Sequence, residues 1–344
     1  AQATSKIVAR LVEAGYLSEV ARRTGGQGYP SRVYAINPGG AHSFGATIES
    51  NQLTIVMIDL AGHIIAENVT RLKATEPEKV FIAIRRIAEA QIRTTGIARS
   101  ALVGFGLGIP GRYDARHATL IPPTFNPEWQ NVSVAERLRE VLGIPVFWDN
   151  DANAAAIGEC FRGAGVQFQD MLYLHIGRGI GSGLILSGDA YRGSEGNAGE
   201  IGRVPVLVPH LSAEPLRLSQ VATIKALERR LREAGNALAD VQDITARMKS
   251  GDAEIAAWIA DASDAIAQAL CAVTYVLDVE AVVVGGILSN HVIDEILGRV
   301  LTRLESSLYR WNRVPSVVRG TAGPTAGALG AATIPMHAVF AARP

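Results

Sequence analysis

The chain begins with a helical pattern of apolar positions. The apolar residues of this pattern are Ile7, Val8, Leu11 and Val12, which share one face of an amphipathic helix. Gly15 follows, and glycine readily adopts the left-handed backbone with which many helices end. The next stretch, SEVARRTGGQGYPSRVYAINP, predicts a strand, a glycine-rich tip and a second strand. This order fits the last helix and wing of a winged helix-turn-helix, or a helix and hairpin that only pack on the main body.

From residue 42 the pattern changes to short apolar runs separated by turns. SFGATIESNQLTIVMIDLAGHIIAENV predicts three strands joined by two turns, with Ala61 and Gly62 at the second turn. DMLYLHIGRGIGSGLILSGDAYRG repeats this layout later in the chain, and helical patterns lie between the two copies. Two hairpin-led α/β units predict two similar lobes with a cleft between them.

Several of the predicted strands end in polar or glycine-rich segments. LVGFGLGIPG enters a loop of Gly and Pro, and LDVEAVVVGGILSN runs into a pair of glycines. VFWDNDANAAAIGE passes from a strand into a helix through carboxylates and carboxamides. Because ligands in open α/β sheets gather beyond the carboxyl ends of strands, these segments are candidate sites. The last one suits a polyol site, a metal site or an elaborate helix cap.

Composition narrows the class of protein. The 344 residues are 48% hydrophobic, and 33 basic residues balance 33 acidic ones, so no global field favours nucleic acid or membrane. Cys160 and Cys271 lie far apart in apolar contexts, which predicts buried, reduced thiols. No apolar run approaches about 18 residues, so we expect a soluble, cytoplasmic protein. Residues 1–35 carry a local net charge of +3, which points weakly to a polyanion.

The motifs together resemble one family. The matching stretches, in order along the chain, are LGIPGRYD, NPEWQNVSVAERLREVLGIPVFWDNDANAAAIGE, LYLHIGRGIGSGLIL, YRGSEGNAGEIG, LDVEAVVVGGILS and AGALGAA. They resemble the ROK family (repressors, open reading frames and kinases), and in particular its transcriptional regulators. The resemblance implies an α/β, actin-like, two-lobed, ribonuclease-H-like fold that binds a sugar between its lobes. In the regulators a winged helix-turn-helix precedes this fold.

On this resemblance we expect three segments. Residues 1–40 would be the remainder of the winged helix-turn-helix, with two preceding helices outside this sequence. Residues 41–148 with 320–344 would form the first lobe, and 149–319 the second. The implied function is a sugar-responsive transcriptional regulator of carbohydrate-metabolism genes, acting as a repressor. The alternative is an ATP-dependent sugar kinase.

The resemblance also implies the sugar-binding residues. Asn150 and Asp151 pair a carboxamide with a carboxylate, which suits hydroxyls that both donate and accept. In the family's kinases the aspartate at the position of Asp151 is the general base. Asp149 and Asn153 are expected to cap the helix or to support the loop. Glu200 matches a sugar-binding glutamate of the family.

Further loops are implied to surround the ligand. The expected loop under the sugar contains Gly108, Pro110 and Gly111, and the expected contact beyond it is Asn126. Stacking of Trp129 on the sugar ring and burial in a lobe remain alternatives. The glycines that match the nucleotide-binding loops of the kinases are Gly177, Gly179, Gly181, Gly285 and Gly286. Glycines also serve tight hairpins, so these residues alone are weak evidence of phosphate binding.

Two departures from the family pattern favour a regulator without zinc. Family kinases have an aspartate and a Gly-Gly-Thr turn that hold magnesium and phosphate, whereas this chain has IESNQ at 48–52. Without that loop, phosphoryl transfer would lose most of its rate. Arg203 replaces the family's histidine, and only His210 lies nearby to bind zinc, which needs about four ligands. We therefore predict no cofactor and no structural zinc, with magnesium ATP only in the kinase alternative. Arg203 is expected either to contact an anionic ligand or to form a salt bridge.

The expected partners follow from the regulator hypothesis. They are operator DNA and a sugar or sugar-phosphate effector, with assembly as a homodimer or tetramer and no membrane. The residues predicted to contact DNA are Thr4, Ser5, Lys6 and Arg10 on the helix and Gln27 at the hairpin tip. A sugar that favours one arrangement of the lobes would change the spacing of the DNA-binding helices and relieve repression.

Overall fold

The structure is a computed structural model that describes residues 2–23, 31–49, 51–114, 119–122, 127–309 and 313–341. The chain divides into two compact units. Unit 1 covers Ala1–Gly111, His117–Asp149 and Ala328–Pro344, and unit 2 covers Arg112–Arg116 and Asn150–Gly327. The chain passes between the units after residues 111, 116, 149 and 327, whereas the sequence placed lobe boundaries after 148 and 319.

The described residues form nine α-helices and sixteen β-strands. The helices are α1 (Gln2–Glu13), α2 (Pro77–Thr95), α3 (Val134–Leu142), α4 (Asp151–Arg162), α5 (Ile224–Glu233), α6 (Val241–Lys249), α7 (Ala253–Leu277), α8 (Asn290–Ser307) and α9 (Ala326–Phe340). The first eight strands are β1 (Leu17–Arg23), β2 (Ser31–Ile36), β3 (His42–Glu49), β4 (Gln52–Asp59), β5 (Ile64–Arg71), β6 (Leu102–Ile109), β7 (Arg112–Asp114) and β8 (Thr119–Ile121). The others are β9 (Val146–Asn150), β10 (Met171–Ile176), β11 (Ile180–Leu186), β12 (Asp189–Tyr191), β13 (Pro205–Val206), β14 (Leu216–Arg217), β15 (Ala281–Gly286) and β16 (Ser316–Arg319).

The predicted N-terminal helix and hairpin are confirmed. Helix α1 ends at Glu13, and Gly15 has the left-handed φ of +79° that its place after the helix predicts. Strands β1 and β2 pair antiparallel, with Leu17 opposite Ile36. The apolar stripe of α1 is only partly covered, because Ile7 is 59% exposed and Val12 is also exposed. The assignment of this segment to a winged helix-turn-helix stays a prediction.

The sheet of unit 1 has the strand order β5-β4-β3-β6-β9. Strands β3, β4 and β5 form the predicted antiparallel meander, and β6 runs parallel to β3. Helices α2 and α3 contribute Phe81, Ile84 and Leu138 to a core that also contains Phe44 and Phe105 of the sheet. A second apolar cluster includes residues of β4 and α9, so helix α9 also packs in this unit.

The sheet of unit 2 repeats this layout, as the sequence predicted. Its order is β12-β11-β10-β15-β16, with β10, β11 and β12 antiparallel and β15 parallel to β10. Helix α7 has the length and apolar composition of a membrane span, but Trp258, Ile259 and Ile266 are buried in the core of this unit. Burial of this kind is typical of the core helix of a globular protein.

Both cysteines are less buried than predicted. Cys160 and Cys271 are free and half-buried. Burial raises the pKa of both thiols, and the nearby Asp189 adds to the rise at Cys160. Raised pKa values leave little thiolate at neutral pH, so neither cysteine is expected to be reactive.

Candidate functional site

The junction of β9 and α4 presents the polar cluster found in the sequence. The Oδ1 atom of Asn150 accepts hydrogen bonds from the backbone N–H groups of Ala152 (2.9 Å) and Asn153 (3.3 Å). Asn150 is therefore the N-cap, whereas the sequence assigned capping or support of the loop to Asp149 and Asn153. The difference arises because asparagine and aspartate cap helices equally well. The carboxamide oxygen of Asn150 therefore serves the helix.

Asp151 is the first residue of α4, and one of its carboxylate oxygens accepts from the N–H of Ala152 (3.0 Å). The positive end of the helix dipole makes this a favourable position for an acidic side chain. Asp149 and Asn153 are buried, 8% and 5% exposed. Burial suits the supporting role that was predicted for these two side chains.

Within unit 2, strand β11 contacts both the loop of Glu200 and the start of α4. A Cβ added at Gly183 would lie 3.0 Å from the Cα of Asn153, so the helix packs directly on the strand. On the neighbouring residue of the strand, the hydroxyl of Ser182 donates to the carbonyl of Gly199. Gly199 has a φ of +88° and positions Glu200. Glu200 therefore lies on a loop that is fixed to the strand on which α4 packs.

Arg203 forms a salt bridge with Glu200, one of the two alternatives left open by the sequence. Its Nε lies 2.8 Å from Oε2 of Glu200, and both side chains are exposed. The guanidinium offsets the charge of Glu200 and restricts its orientation. A carboxylate held in this way is suited to accept hydrogen bonds from the hydroxyls of a neutral ligand.

The sequence did not reveal the role of Asn197, three residues before Glu200. Its Oδ1 accepts from the N–H of Tyr113 (3.0 Å), and its Nδ2 donates to the carbonyl of Tyr113 (2.9 Å). These two hydrogen bonds link β7 to the loop of Glu200. The only signal in the sequence was the position of Asn197 between two glycines, of which Gly196 has a φ of +73° and packs on the ring of Tyr113.

The end of β6 and the loop that follows it, in unit 1, contain three predicted sugar-contact residues. Gly108 pairs with Thr47 of β3, and Pro110 follows the last residue of the strand. Gly111 has a φ of +137°, and an added Cβ would lie 2.8 Å from the carbonyl of Ile121. The loop therefore requires glycine at 111 for backbone reasons, whether or not a sugar rests on it. The predicted contact Asn126 lies outside the described residues.

Trp129 belongs to the core of unit 1. Its side chain is 2% exposed, and its Nε1 donates to the carbonyl of Thr75 (2.8 Å). The ring meets Phe81 edge-on at 5.7 Å between centroids. The structure thus supports burial in a lobe, which was one of the two alternatives, and not stacking on a sugar.

The glycine-rich hairpin between β10 and β11 is tight. Gly177 donates its N–H to the carbonyl of Gly179 (3.0 Å). Arg178, between these glycines, forms a bidentate salt bridge with Glu228 of α5. A Cβ added at Gly181 would lie 2.8 Å from the Cβ of Ala152. Close packing therefore accounts for one of these glycines without any phosphate.

Packing also explains the two glycines at the end of β15. A Cβ at Gly285 would lie 2.5 Å from the hydroxyl of Tyr173, and one at Gly286 would lie 2.1 Å from the carbonyl of Ile176. Gly286 also has a φ of +128°. The β3–β4 turn of unit 1, where kinases of the family carry their phosphate loop, is short, since Glu49 pairs with Gln52 across it.

His210 has a partner that is not a metal. Its Nε2 lies 2.9 Å from Oδ1 of Asp261, whose other oxygen accepts from Arg230 (2.6 Å). Among the described residues, no group of three or more His, Cys, Asp and Glu side chains is placed to hold a metal ion.

Four of the predicted DNA-contact residues lie on one exposed helix. Thr4, Ser5, Lys6 and Arg10 are all exposed on α1. The fifth, Gln27, lies outside the described residues. On the hairpin, Glu19 forms ion pairs with Arg22 (2.7 Å) and Arg32 (3.7 Å). These ion pairs reduce the local positive charge of the hairpin. The cationic side chains of α1 are therefore better placed than those of the hairpin to meet a polyanion.

Comparison with known proteins identifies relatives of two functional kinds. A model described as the ROK family matches residues 45–337. The xylose repressor of Caldicellulosiruptor bescii is 28% identical over 204 residues, 59% of this chain and 51% of the repressor. The alignment therefore spans about half of that relative's length.

Two solved structures share the fold. The ROK hexokinase from Thermus thermophilus is 26% identical with a TM-score of 0.71, and the similarity covers 87% of this chain and 99% of the hexokinase. A ROK family transcriptional regulator, a homologue of the E. coli MLC protein, is 20% identical with a TM-score of 0.77. That similarity covers 96% of this chain and 87% of the regulator. The regulator structure thus matches more of this chain than the hexokinase does.

Proposed function

Because the chain belongs to the ROK family, which includes both repressors and sugar kinases, we propose that it is a sugar-responsive repressor of carbohydrate-metabolism genes. The observation that carries this proposal is the helix and hairpin of residues 2–36, which precede the family region that begins at residue 45. This exposed helix carries two cationic side chains, Lys6 and Arg10. A protein that binds DNA requires such an element to contact phosphates and bases.

The proposed effector is a neutral sugar held by unit 2. The NH₂ group of Asn150 and the carboxylate of Asp151 would bind hydroxyls at the start of α4, and Glu200 would accept from others. The pairing of Arg203 with Glu200 favours a neutral sugar over a sugar phosphate, because the arginine charge is already offset. Binding changes the affinity for DNA only if the sugar prefers one conformation of the protein over the other.

Contacts with DNA are tested by single substitutions on α1. We expect Lys6→Ala and Arg10→Ala each to weaken binding to a duplex selected from random-sequence DNA by the wild-type protein. Each lost phosphate contact should also reduce the slope of log K against log salt concentration by about one. Fluorescence anisotropy at four salt concentrations measures both quantities.

Arg299→Ala on α8 is the matched control, because Arg299 is also an exposed helical arginine but lies in unit 2. It should leave the affinity and the salt slope unchanged. If Lys6→Ala, Arg10→Ala and Arg299→Ala all changed the DNA affinity and its salt slope to the same extent, α1 would not be the DNA-binding element.

The kinase alternative rests on Asp151, which keeps the family's catalytic position and lies at the first residue of α4. A kinase would consume ATP in the presence of a hexose, and Asp151→Asn would abolish this turnover. Against it stands the short β3–β4 turn, in which bulky side chains replace the glycines that let a backbone approach phosphate.

A further inference from the structure

The N-terminal helix and hairpin join the sheet within unit 1. After β2 the chain passes through Asn37, whose Nδ2 donates to the carbonyl of Gly15 (2.7 Å) and whose N–H donates to the carbonyl of Tyr16 (2.9 Å). Gly40 is packed so closely that an added Cβ would lie 2.5 Å from the same Gly15 oxygen. The turn that ends α1 is therefore attached directly to the segment that leads into β3.

A pocket of about 500 Å³ opens beside this connection. We call it the junction pocket. It is lined by Pro38, Gly39, His42, Asp59, Ile65, Thr94, Thr95 and Ile97, all of which belong to unit 1. Its volume falls within the range of pockets that bind small molecules. None of these residues belongs to the sugar site proposed above.

His42 provides the observation that points to a ligand. It lies opposite Asp59 in the β3–β4 register and is only 7% exposed, and its Nδ1 has no hydrogen-bond partner among the described residues. A buried nitrogen without a partner destabilises a protein, so natural structures contain few of them. Burial lowers the pKa of His42, although the carboxylate of Asp59 acts in the opposite direction. The ring is therefore neutral near pH 7.

The other polar groups of the junction pocket are acceptors. Asp59 is a buried carboxylate that accepts from the N–H of His63 (2.9 Å) and lies 3.0 Å from its Nδ1. The hydroxyl of Thr94 donates to the carbonyl of Ala90 (3.1 Å), and that of Thr95 to the carbonyl of Gln91 (2.7 Å). A hydroxyl has one proton to donate, so both threonines offer only lone pairs to a ligand.

The charge of the pocket restricts the ligand further. Neither lysine nor arginine is among its eight lining residues, and the one carboxyl group among them is that of Asp59. An anion would meet repulsion and would find few donors. A cation with N–H groups would satisfy the acceptors and reduce the unfavourable burial of Asp59.

We propose that the junction pocket binds a small organic cation with a primary ammonium group, whose three N–H donors are received by Asp59, His42 and one of the two threonine oxygens. The apolar side chains of Pro38, Ile65 and Ile97 are suited to pack against its carbon chain. Because Pro38 and Gly39 directly follow Asn37, which binds the end of α1, occupancy would stiffen the connection between the N-terminal segment and the sheet. The binding proposal does not depend on the sugar-responsive function.

The test uses two probes of equal chain length that differ only in their end groups. Putrescine and butane-1,4-diol are titrated into the full chain by calorimetry. We expect putrescine to bind at least 10-fold more tightly than the diol. Asp59→Asn keeps the shape of the side chain but removes its charge, and should weaken putrescine binding at least 10-fold. Asp294→Asn, in a charged groove of unit 2, should leave it unchanged.

A second measurement on the wild-type chain avoids any effect of the substitutions on folding. In ¹⁵N-histidine-labelled protein, putrescine should shift the imidazole resonances of His42, and butane-1,4-diol should not. Equal binding of the two probes would overturn the proposal. Two other results would also overturn it. One is an equal loss of putrescine affinity in Asp59→Asn and Asp294→Asn, and the other is His42 resonances that do not shift at saturating putrescine.

Discussion

Replacing Glu159 by alanine should lower the free energy of unfolding by about 3 kcal/mol, because its carboxylate stabilises three backbone N–H groups. Glu159 is 2% exposed. Its oxygens accept from Ala164 (2.9 Å), Thr321 (3.0 Å) and Ala322 (3.0 Å). Gly163 and Gly320 leave the space that the carboxylate occupies, since a Cβ at either position would lie within 2.5 Å of it. Alanine would leave both the donors and the space unfilled.

Thermal denaturation followed by circular dichroism measures this effect. A loss of about 3 kcal/mol corresponds to a decrease of about 6–12 °C in Tm for a unit of this size. Glu159→Gln should fall between the wild type and Glu159→Ala, because one acceptor oxygen remains. Glu140→Ala on the exposed face of α3 should leave Tm unchanged. If Glu159→Ala had the same Tm as Glu140→Ala, the three N–H groups would not depend on the carboxylate.

Gly106→Ala should be at least as destabilising, through overpacking and not through lost contacts. An added Cβ would lie 1.8 Å from the carbonyl oxygen of Ala331 and 2.6 Å from its carbonyl carbon. Both are backbone atoms of α9, so no flexible side chain can move aside. Helix α9 would have to shift away from the sheet of unit 1, and we expect a loss of about 3 kcal/mol or an insoluble protein.

Gly298→Ala is the matched control for this substitution. Gly298 lies in α8, where nothing lies within 4 Å of an added Cβ. Alanine should raise the stability there by about 0.5–1 kcal/mol, because glycine is a poor residue inside a helix. We expect Gly106→Ala to lower the Tm and the soluble yield, and Gly298→Ala to raise them. A Gly106→Ala protein with wild-type Tm would refute the close packing of α9 on the sheet.

The elements of the fold could be read from local patterns. The meander β3–β5 and the hairpin β10–β11 appear as short apolar runs separated by Gly, Asn and Asp. The end of α1 was indicated by Gly15, whose left-handed backbone the structure confirms. In each case the information lies within a few neighbouring residues, and physical preferences at that range are strong enough to decide the structure.

Long-range packing could not be read in this way. Glu159 looked like one more polar residue of a helix, because its partners Thr321 and Ala322 lie more than 160 positions away. Gly106 looked like any glycine in a buried strand until α9 was placed against it. Tryptophan suits a protein core and a sugar site equally well, and only the contacts of Trp129 decided between them.

The polar cluster between β9 and α4 was predicted in its position but not in all its structural roles. The sequence assigned Asn150 to a ligand and capping to its neighbours, and the structure gives Asn150 the cap. Capping and sugar binding use the same side-chain groups, so residue type alone cannot separate them. For Arg203, the salt bridge with Glu200 became visible only once the loop was folded.

The central claim is that this protein binds a sugar without transferring phosphate to it. Its most direct test is titration calorimetry of a panel of pentoses and hexoses, with and without magnesium ATP in the cell. We predict that one or more sugars give a saturable binding isotherm, that magnesium ATP does not change it, and that Asp151→Asn weakens it. Sustained heat release in the presence of both sugar and magnesium ATP, absent in Asp151→Asn, would contradict the account and identify a kinase.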